Sequence, residues 1–455
     1  MDDVSPLTLV KMAYYSGGMF EDRTAVDKFP KEEVDALAYR RGKVAYENIL
    51  RPEVDSQVTP AFTKPAVRTV GELPITEAEG TIANATYKDI TRTGVPIEKF
   101  TEKVLNEAQW SGYNFVIVCT KERTPASKLD LAVRANLPYA MKVRAEDVGE
   151  EYLLDSLGGL KQIKYVEDYD AEGDPIYRVW DKHDDDTAAA WREDKDGEII
   201  SDSRVDLEGF PVTAIESNDR YDETRLPKSR YITVAQMSHL RMNILSYTIE
   251  GFYKTCFALL GIPTDGDINE LISSAGNAIK VPLESTNMPA YITPAVDHLR
   301  VMIEEYLELK KSIQEELNST LFIASNSSEQ ARVQADKRRI EALKMTAIRA
   351  EDLEEWIYNV AFPVWTRKNE EYDVQYDKTF QSLTIDLFIE QWRSILELAP
   401  EIMPDAFKLK VIEKIVEAAA YEDKAFQDEL KSALNSEFCT EKPGDKVNPA
   451  PDDEK

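Results

Sequence analysis

Two long stripes of apolar side chains at three-to-four spacing govern what this chain can fold into. The first runs through Val234, Met237, Leu240, Ile244, Thr248, Phe252, Thr255, Cys256 and Leu259, and the second through Leu299, Met302, Ile303, Tyr306, Leu307, Ile313 and Leu317. Residues at that spacing share one face of a helix, so each segment predicts a rod with one greasy side and one wet side. Thr293 is placed to cap the second rod, and Pro294 falls in its first turn, where a missing N–H costs nothing. The interlude 261–294, GIPTDGDINELISSAGNAIKVPLESTNMPAYITP, is too short to bury a core alone and must lean on something else. After the second rod comes LFIASNSSEQA, 321–331, whose small hydroxyl and amide side chains compete with helical hydrogen bonds and favour a loop or kink. A third helix is predicted over 329–360.

Composition excludes several classes. With 455 residues, 43% of them apolar and 9% aromatic, the chain can bury one large or several small cores. Only 441–455, EKPGDKVNPAPDDEK, reads as a disordered tail. Cys119, Cys256 and Cys439 lie far apart, which argues against a disulfide scaffold or zinc ribbon and fits a reducing compartment. The start MDDVSP carries acid where a secretory signal needs base, and the longest apolar runs, such as 115–119, fall far short of a membrane span. A soluble protein made in the cytosol, with no membrane partner, is expected. The net charge of −29 opposes tight nucleic-acid binding. It is compatible with a surface past which a phosphate backbone slides, although solubility alone also accounts for it.

The N-terminal half mixes helical and extended patterns, an α+β signature. Val34, Leu37, Ala38, Arg41, Val44, Ala45, Asn48 and Ile49 predict a helix over 31–51, ended by Pro52. Pro60, Pro65 and Pro74 mark an irregular connector. A helix over 98–110, a Ser-Gly turn and a buried strand over 113–120 follow, with a loop at Pro125. After Pro138 the runs YAMKVRAEDV, QIKYVEDY, IYRVWD, AAAWRED, GEIISDS and FPVTAIE predict an antiparallel meander, with a hairpin turn at Asp196-Gly197.

Chemistry-bearing patterns are sparse. His183 with Asp184, Asp185 and Asp186 offers cation ligands, but neighbours on an extended segment point to opposite faces, so a solvated turn is expected. Asp194 to Ile199 looks like the middle of a calcium loop. With Gly197 at position six, however, the first and twelfth ligand positions fall on Arg192 and Ser203, which leaves a hairpin turn. No phosphate loop, G-x-S-x-G elbow or H-E-x-x-H motif is present. His239 and His298, near the starts of the rods, read as helix-surface or interface residues. No catalytic residue, metal site or cofactor is expected, and the chain does not read as an enzyme.

The order of elements resembles the portal proteins of tailed bacteriophages, the head-to-tail connectors of the phage portal-like family. The helix 97–110 followed by Ser111-Gly112-Tyr113-Asn114-Phe115-Val116-Ile117-Val118 carries the resemblance, as do Leu137-Pro138-Tyr139 and Arg144-Ala145-Glu146-Asp147-Val148. Tyr177-Arg178-Val179-Trp180 and Gly209-Phe210-Pro211-Val212 add to it. The resemblance implies an α+β portal fold: an α/β wing from 1–232 joined by 329–383, and stem helices at 233–260 and 291–318. A small α/β clip would lie at 261–290, a tunnel loop at 319–328, an all-helical crown at 384–440, and the disordered tail at 441–455.

It further implies a homo-dodecameric ring at a capsid vertex, in the virion and, during assembly, in the host cytoplasm. Double-stranded DNA would pass non-specifically through its channel. Terminase large subunit, head-tail adaptor and neck proteins, major capsid protein and scaffolding protein would be partners. By region, Asp265, Asp267 and Glu270 would meet terminase or adaptor at the clip. Ser325, Asn326, Ser327 and Ser328 would line the narrowest part of the channel, where short uncharged groups touch phosphates without holding them. Arg332, Lys337 and Arg338 could face DNA or form a solvated or intersubunit face. Two other classes fit parts of the pattern: an acidic oligomeric scaffold or assembly chaperone without a channel, and a metal-dependent hydrolase built on the acidic loops.

Overall fold

The computed structural model describes residues 4–380 apart from 30–31, 33, 121–136, 150, 184–186, 201–202, 218–219, 221–223, 256–258, 264–277, 282–289, 293–296 and 318–328. The chain divides into two compact units, 1–325 with 342–378 and 326–341 with 379–455. The expected crown and tail lie outside the described residues. What is described is mixed α/β, with several helices and mainly antiparallel sheets.

Helix α1 (Pro6–Tyr15) opens the first unit. Ser5 Oγ accepts from Thr8 N at 3.2 Å, and Pro6 occupies the first turn, where its absent N–H is not missed. Its Leu9, Val10 and Ala13 pack into a core with Leu50, Val54, Trp110, Val234, Ala235 and Ile313. The single helix expected over 31–51 is two helices, α2 (Val34–Lys43) and α3 (Leu50–Val58). Asn48 explains the break, because its Oδ1 accepts from Arg51 N at 2.9 Å while its Nδ2 donates to Tyr14 O. Pro52 therefore starts a helix instead of ending one, sitting in a first turn whose N–H groups have no intrahelical partner.

The proline-marked connector holds a short hairpin, β1 (Val67–Val70) and β2 (Leu73–Pro74), extended by β14 (Tyr372–Gln375) in the order β14-β1-β2. Arg68 on β1 forks onto the fully buried Glu354, with Nε and Nη2 each 2.9 Å from its oxygens, and Tyr372 and Tyr376 donate to the same carboxylate at 2.7 and 2.6 Å. Beyond α4 (Ile82–Thr86), helix α5 (Ile97–Ser111) turns at Gly112 into β3 (Tyr113–Cys119), as the sequence predicts. Gly112 has φ +99°, and a Cβ there would lie 2.5 Å from Pro227 O, so the turn admits no other residue unstrained.

Two segments expected in the meander leave it. β4 (Tyr139–Arg144) and β10 (Val212–Glu216) flank β3 instead, in an antiparallel sheet ordered β10-β3-β4. The reason is that β3 is buried almost throughout and needs a neighbour on each edge. After α6 (Ala145–Val148) the true meander is β5 (Tyr152–Leu154), β6 (Leu160–Tyr169), β7 (Pro175–Lys182), β8 (Thr187–Glu193) and β9 (Val205–Glu208), paired in chain order. Among its described residues GEIISDS forms no strand; Ile199 bridges Glu193, and Ile200 N donates to Arg192 O at 2.9 Å. The Asp194–Gly197 turn is a hairpin turn: Gly197 has φ +83°, and Asp194 Oδ1 accepts from Asp196 N and Glu198 N at 2.9 Å.

Helix α7 (Ile232–Thr255) leads to a three-stranded sheet of β11 (Leu259–Pro263), β12 (Ala278–Val281) and β13 (Ala290–Ile292), and then to α8 (Asp297–Glu316). Leu259 and Leu260, expected at the end of the first rod, belong to β11, which pairs parallel with β12 and antiparallel with β13. The long helix α9 (Glu329–Glu355) continues as a π-turn over Trp356–Ala361 and as α10 (Phe362–Thr366), six residues past its expected end. Pro363 accounts for the widened turn, since it offers Asn359 no N–H and its ring crowds that carbonyl.

One bond ties this segment to the β3 sheet. Pro211 lies opposite Val118 and cannot donate to it. Trp365 Nε1 donates to Val118 O instead, at 2.8 Å.

Candidate functional site: the paired long helices

Helices α7 and α8 pack along each other, and the details explain why. Gly251 on α7 lets Leu299 of α8 press onto the helix backbone, because a Cβ there would collide with the leucine side chain. In the middle of the pair, the buried Arg241 lays its guanidinium 4.3 Å from the Tyr306 ring centre and donates to Tyr306 Oη at 2.7 Å and to the Glu47 carboxylate. Lys310 Nζ reaches the other oxygen of Glu47 at 2.7 Å. Burial pushes the Glu47 carboxyl up, but the hydrogen bonds from Lys310 and Arg241 outweigh it and hold the group below its usual range. A carboxylate from the α2–α3 connection thus bridges both rods.

A second cluster fastens α7 to α2. Arg40, 1% exposed, donates through Nε and Nη2 to Glu32, through Nη1 to Ser246 Oγ at 2.7 Å and through Nη2 to Asp27 O at 2.8 Å. Its guanidinium lies 4.1 Å from the Phe29 ring centre, and that ring stacks on Tyr247. The hydrogen bond from Arg40 holds the Glu32 carboxyl below its ordinary range. Asn243 Oδ1 accepts from Asp27 N at 2.8 Å, and His239, expected at a helix surface or interface, is buried beside it. For His298 the described features extend only to its place in α8.

The buried face of α7 is consequently Val234, Ala235, Ser238, His239, Arg241, Met242, Asn243, Ser246 and Thr248, which shares only Val234 and Thr248 with the predicted stripe. Helices α1, α2 and α8 surround it, and hydrogen-bonded polar side chains fill much of the contact, so apolar spacing misreads the orientation. On α8 the predicted stripe divides. Leu299, Ile313 and Leu317 are buried, Met302 and Tyr306 half-buried, and Ile303 and Leu307 exposed.

Five large apolar side chains of the pair remain exposed: Leu240 and Phe252 on α7, with Val301, Ile303 and Leu307 on α8. Leu307 is 56% exposed, and exposed Glu304, Glu305 and Glu308 flank the α8 part. Such side chains do no proton or electron chemistry. They can be covered by protein. Among the described residues no three His, Cys, Asp or Glu side chains converge as a cation site, and no described helix is long and apolar enough to cross a membrane.

Asp265, Asp267, Glu270, Ser325, Asn326, Ser327 and Ser328 lie outside the described residues, as do Thr293, Pro294 and Asp184 to Asp186. Arg332, Lys337 and Arg338 fall on α9, the latter two exposed. Sequence reasoning overlooked Arg40, Arg241 and Glu47. Their only signal was charge on otherwise apolar helical patterns. It also overlooked α1, which Ser5-Pro6 announces as a cap followed by a first-turn proline.

No family model matches the chain, and no curated protein matches it. A solved structure described as the neck of an empty GTA particle computed with C6 symmetry aligns with 85% of this chain and 95% of its own, at 10% identity and a TM-score of 0.40.

Proposed function

We propose that the protein is a tailed-phage portal: a structural, non-catalytic ring of twelve copies at a capsid vertex, through whose channel double-stranded DNA is packaged and later ejected. The observation that carries this reading is the set of large apolar side chains exposed on the α7–α8 pair, Ile303 and Leu307 foremost. Apolar side chains left in water on a long helix pair are a surface that protein can cover. If that cover is a different surface of the next copy, the contact is heterologous and identical subunits close into a ring around a hole. Segment 261–290, inserted between the rods, is then the docking surface for terminase large subunit and head-tail adaptor proteins. Segment 319–328 lines the channel, where Ser325 to Ser328 let phosphates pass. Capsid and scaffolding proteins meet the ring from outside, and ATP hydrolysis is left to the terminase.

Negative-stain imaging and native mass spectrometry of the purified full chain test the reading. Rings with a central hole are expected. A strictly monomeric species across concentrations and salts overturns it. Deleting 261–290 is expected to spare the ring and abolish terminase docking, whereas an assembly chaperone has no reason to depend on that segment.

A further inference from the structure

Helix α9 carries a basic face on a strongly acidic chain, and we infer that this face docks on the acidic outer face of α8 in a second copy. The inference rests on the ring reading and names the two surfaces that meet in it. Lys337, Arg338, Glu341, Lys344 and Met345 are exposed, and spacings of three, four and seven residues place them on one side of α9. Glu341 is the lone carboxylate among the cations of that face, and Met345, 49% exposed, lies between them.

The outer face of α8 has the opposite sign. Val301, Glu304, Glu305 and Glu308 are exposed and share one side of the helix by the same spacing, with Ile303 and Leu307 at its border. The cations of α8 are taken: Lys310 binds Glu47 at 2.7 Å, Lys311 pairs with Glu315 at 3.5 Å and Arg300 with Glu304 at 3.8 Å. Among the described residues Glu305 and Glu308 are left without a cation in salt-bridge reach, and Lys337, Arg338 and Lys344 without a carboxylate. Val301 to Glu308 and Lys337 to Met345 each span about 11 Å at a rise of about 1.5 Å per residue, so the faces also match in length. Copies that carry −29 each repel one another at a distance, and a contact between them needs a local patch of opposite sign, which α9 provides. Exposed ion pairs add little energy each, so charge selects which surfaces meet, and Val301 and Met345 supply apolar area. A phosphate backbone is a poorer occupant of the α9 face, since Glu341 repels it and Met345 offers it no hydrogen bond. The two faces differ, so the contact is heterologous: each copy gives one face to the neighbour on one side and the other face to the neighbour on the other, as ring closure needs.

The test treats the full chain with a carbodiimide, which joins a lysine amine to a carboxylate only where the two touch, in a mixture of unlabelled and isotopically labelled copies assembled together. Amide links from Lys337 or Lys344 to Glu305 or Glu308 that join a labelled to an unlabelled copy are expected. Lys337→Glu with Lys344→Glu should weaken assembly at least about tenfold in mass photometry, since like charges then face each other, and adding Glu305→Lys with Glu308→Lys should restore it. All four side chains are exposed, so folding is spared. Should a variant misfold, the cross-links on the unaltered chain still decide. Rings without those links, links within single copies only, or a charge reversal that leaves assembly unchanged or that the second reversal does not rescue overturns the docking and leaves the ring reading standing. So does loss of the links when short double-stranded DNA is added, which would make a phosphate backbone the occupant. A chain that is monomeric throughout overturns both.

Discussion

The inner and outer sides of the α7–α8 pair reverse the usual distribution of side chains. Inward lie Arg40, Arg241, Asn243 and Ser246, all polar and all hydrogen-bonded. Outward lie Leu240, Phe252, Val301, Ile303 and Leu307. Burying a charge is tolerable only when its partners are in place, whereas leaving large apolar groups in water is tolerable only when something later covers them. The inner side is thus held by bonds within one chain, and the outer side offers apolar side chains that a partner can cover.

Three variants can break or sharpen that contrast. The largest loss of stability is expected from Arg40→Met, which strips Glu32 and the nearby Glu250 of their shared cation while both remain inside; breaking a buried pair this way costs about 3–5 kcal/mol. Urea denaturation measures it, and an unchanged midpoint would show that those bonds do not hold the inner side.

An intermediate, pH-dependent effect is expected at Glu32. Its carboxyl titrates below the ordinary range in the folded chain, so its contribution is present above the unfolded value of about 4.3 and is lost as pH falls through the lower folded value. Stability curves of the native chain and Glu32→Gln should therefore differ at neutral pH and converge in acid. Parallel curves throughout would contradict the assignment.

The smallest effect on folding belongs to the double change Ile303→Ser with Leu307→Ser. Both side chains are exposed, so chemical denaturation of the monomer should shift by no more than about 0.5 kcal/mol. The same variant should lose higher-order assembly in mass photometry. Retained assembly would show that these side chains are ordinary surface.

Much of the local structure was legible. The α5–Gly112–β3 unit follows from a long helical period, a glycine that alone tolerates φ +99°, and an unbroken apolar run. The two rods follow from their spacing, and on α8 the exposed remainder of the stripe, Ile303 and Leu307, is the part that the candidate site uses. The orientation of α7 was hidden because its buried face is built from serine, asparagine and arginine, which carry no hydrophobic period. Strand partners were hidden as well: alternation says that Val212–Glu216 is a strand, but not that it leaves the meander for β3. The break at 44–49 hangs on one side chain, Asn48, bonding to the backbone on both sides of it.

The indole of Trp365 fills a ladder position that Pro211 vacates, and this makes a rivet of a single tryptophan. Prying the end of α10 away from β3 would strand the Val118 carbonyl in a dry interior, at about 1–3 kcal/mol, in addition to the packing lost. The end of the helical segment at Thr366 and the β3 sheet therefore part only by giving up that bond.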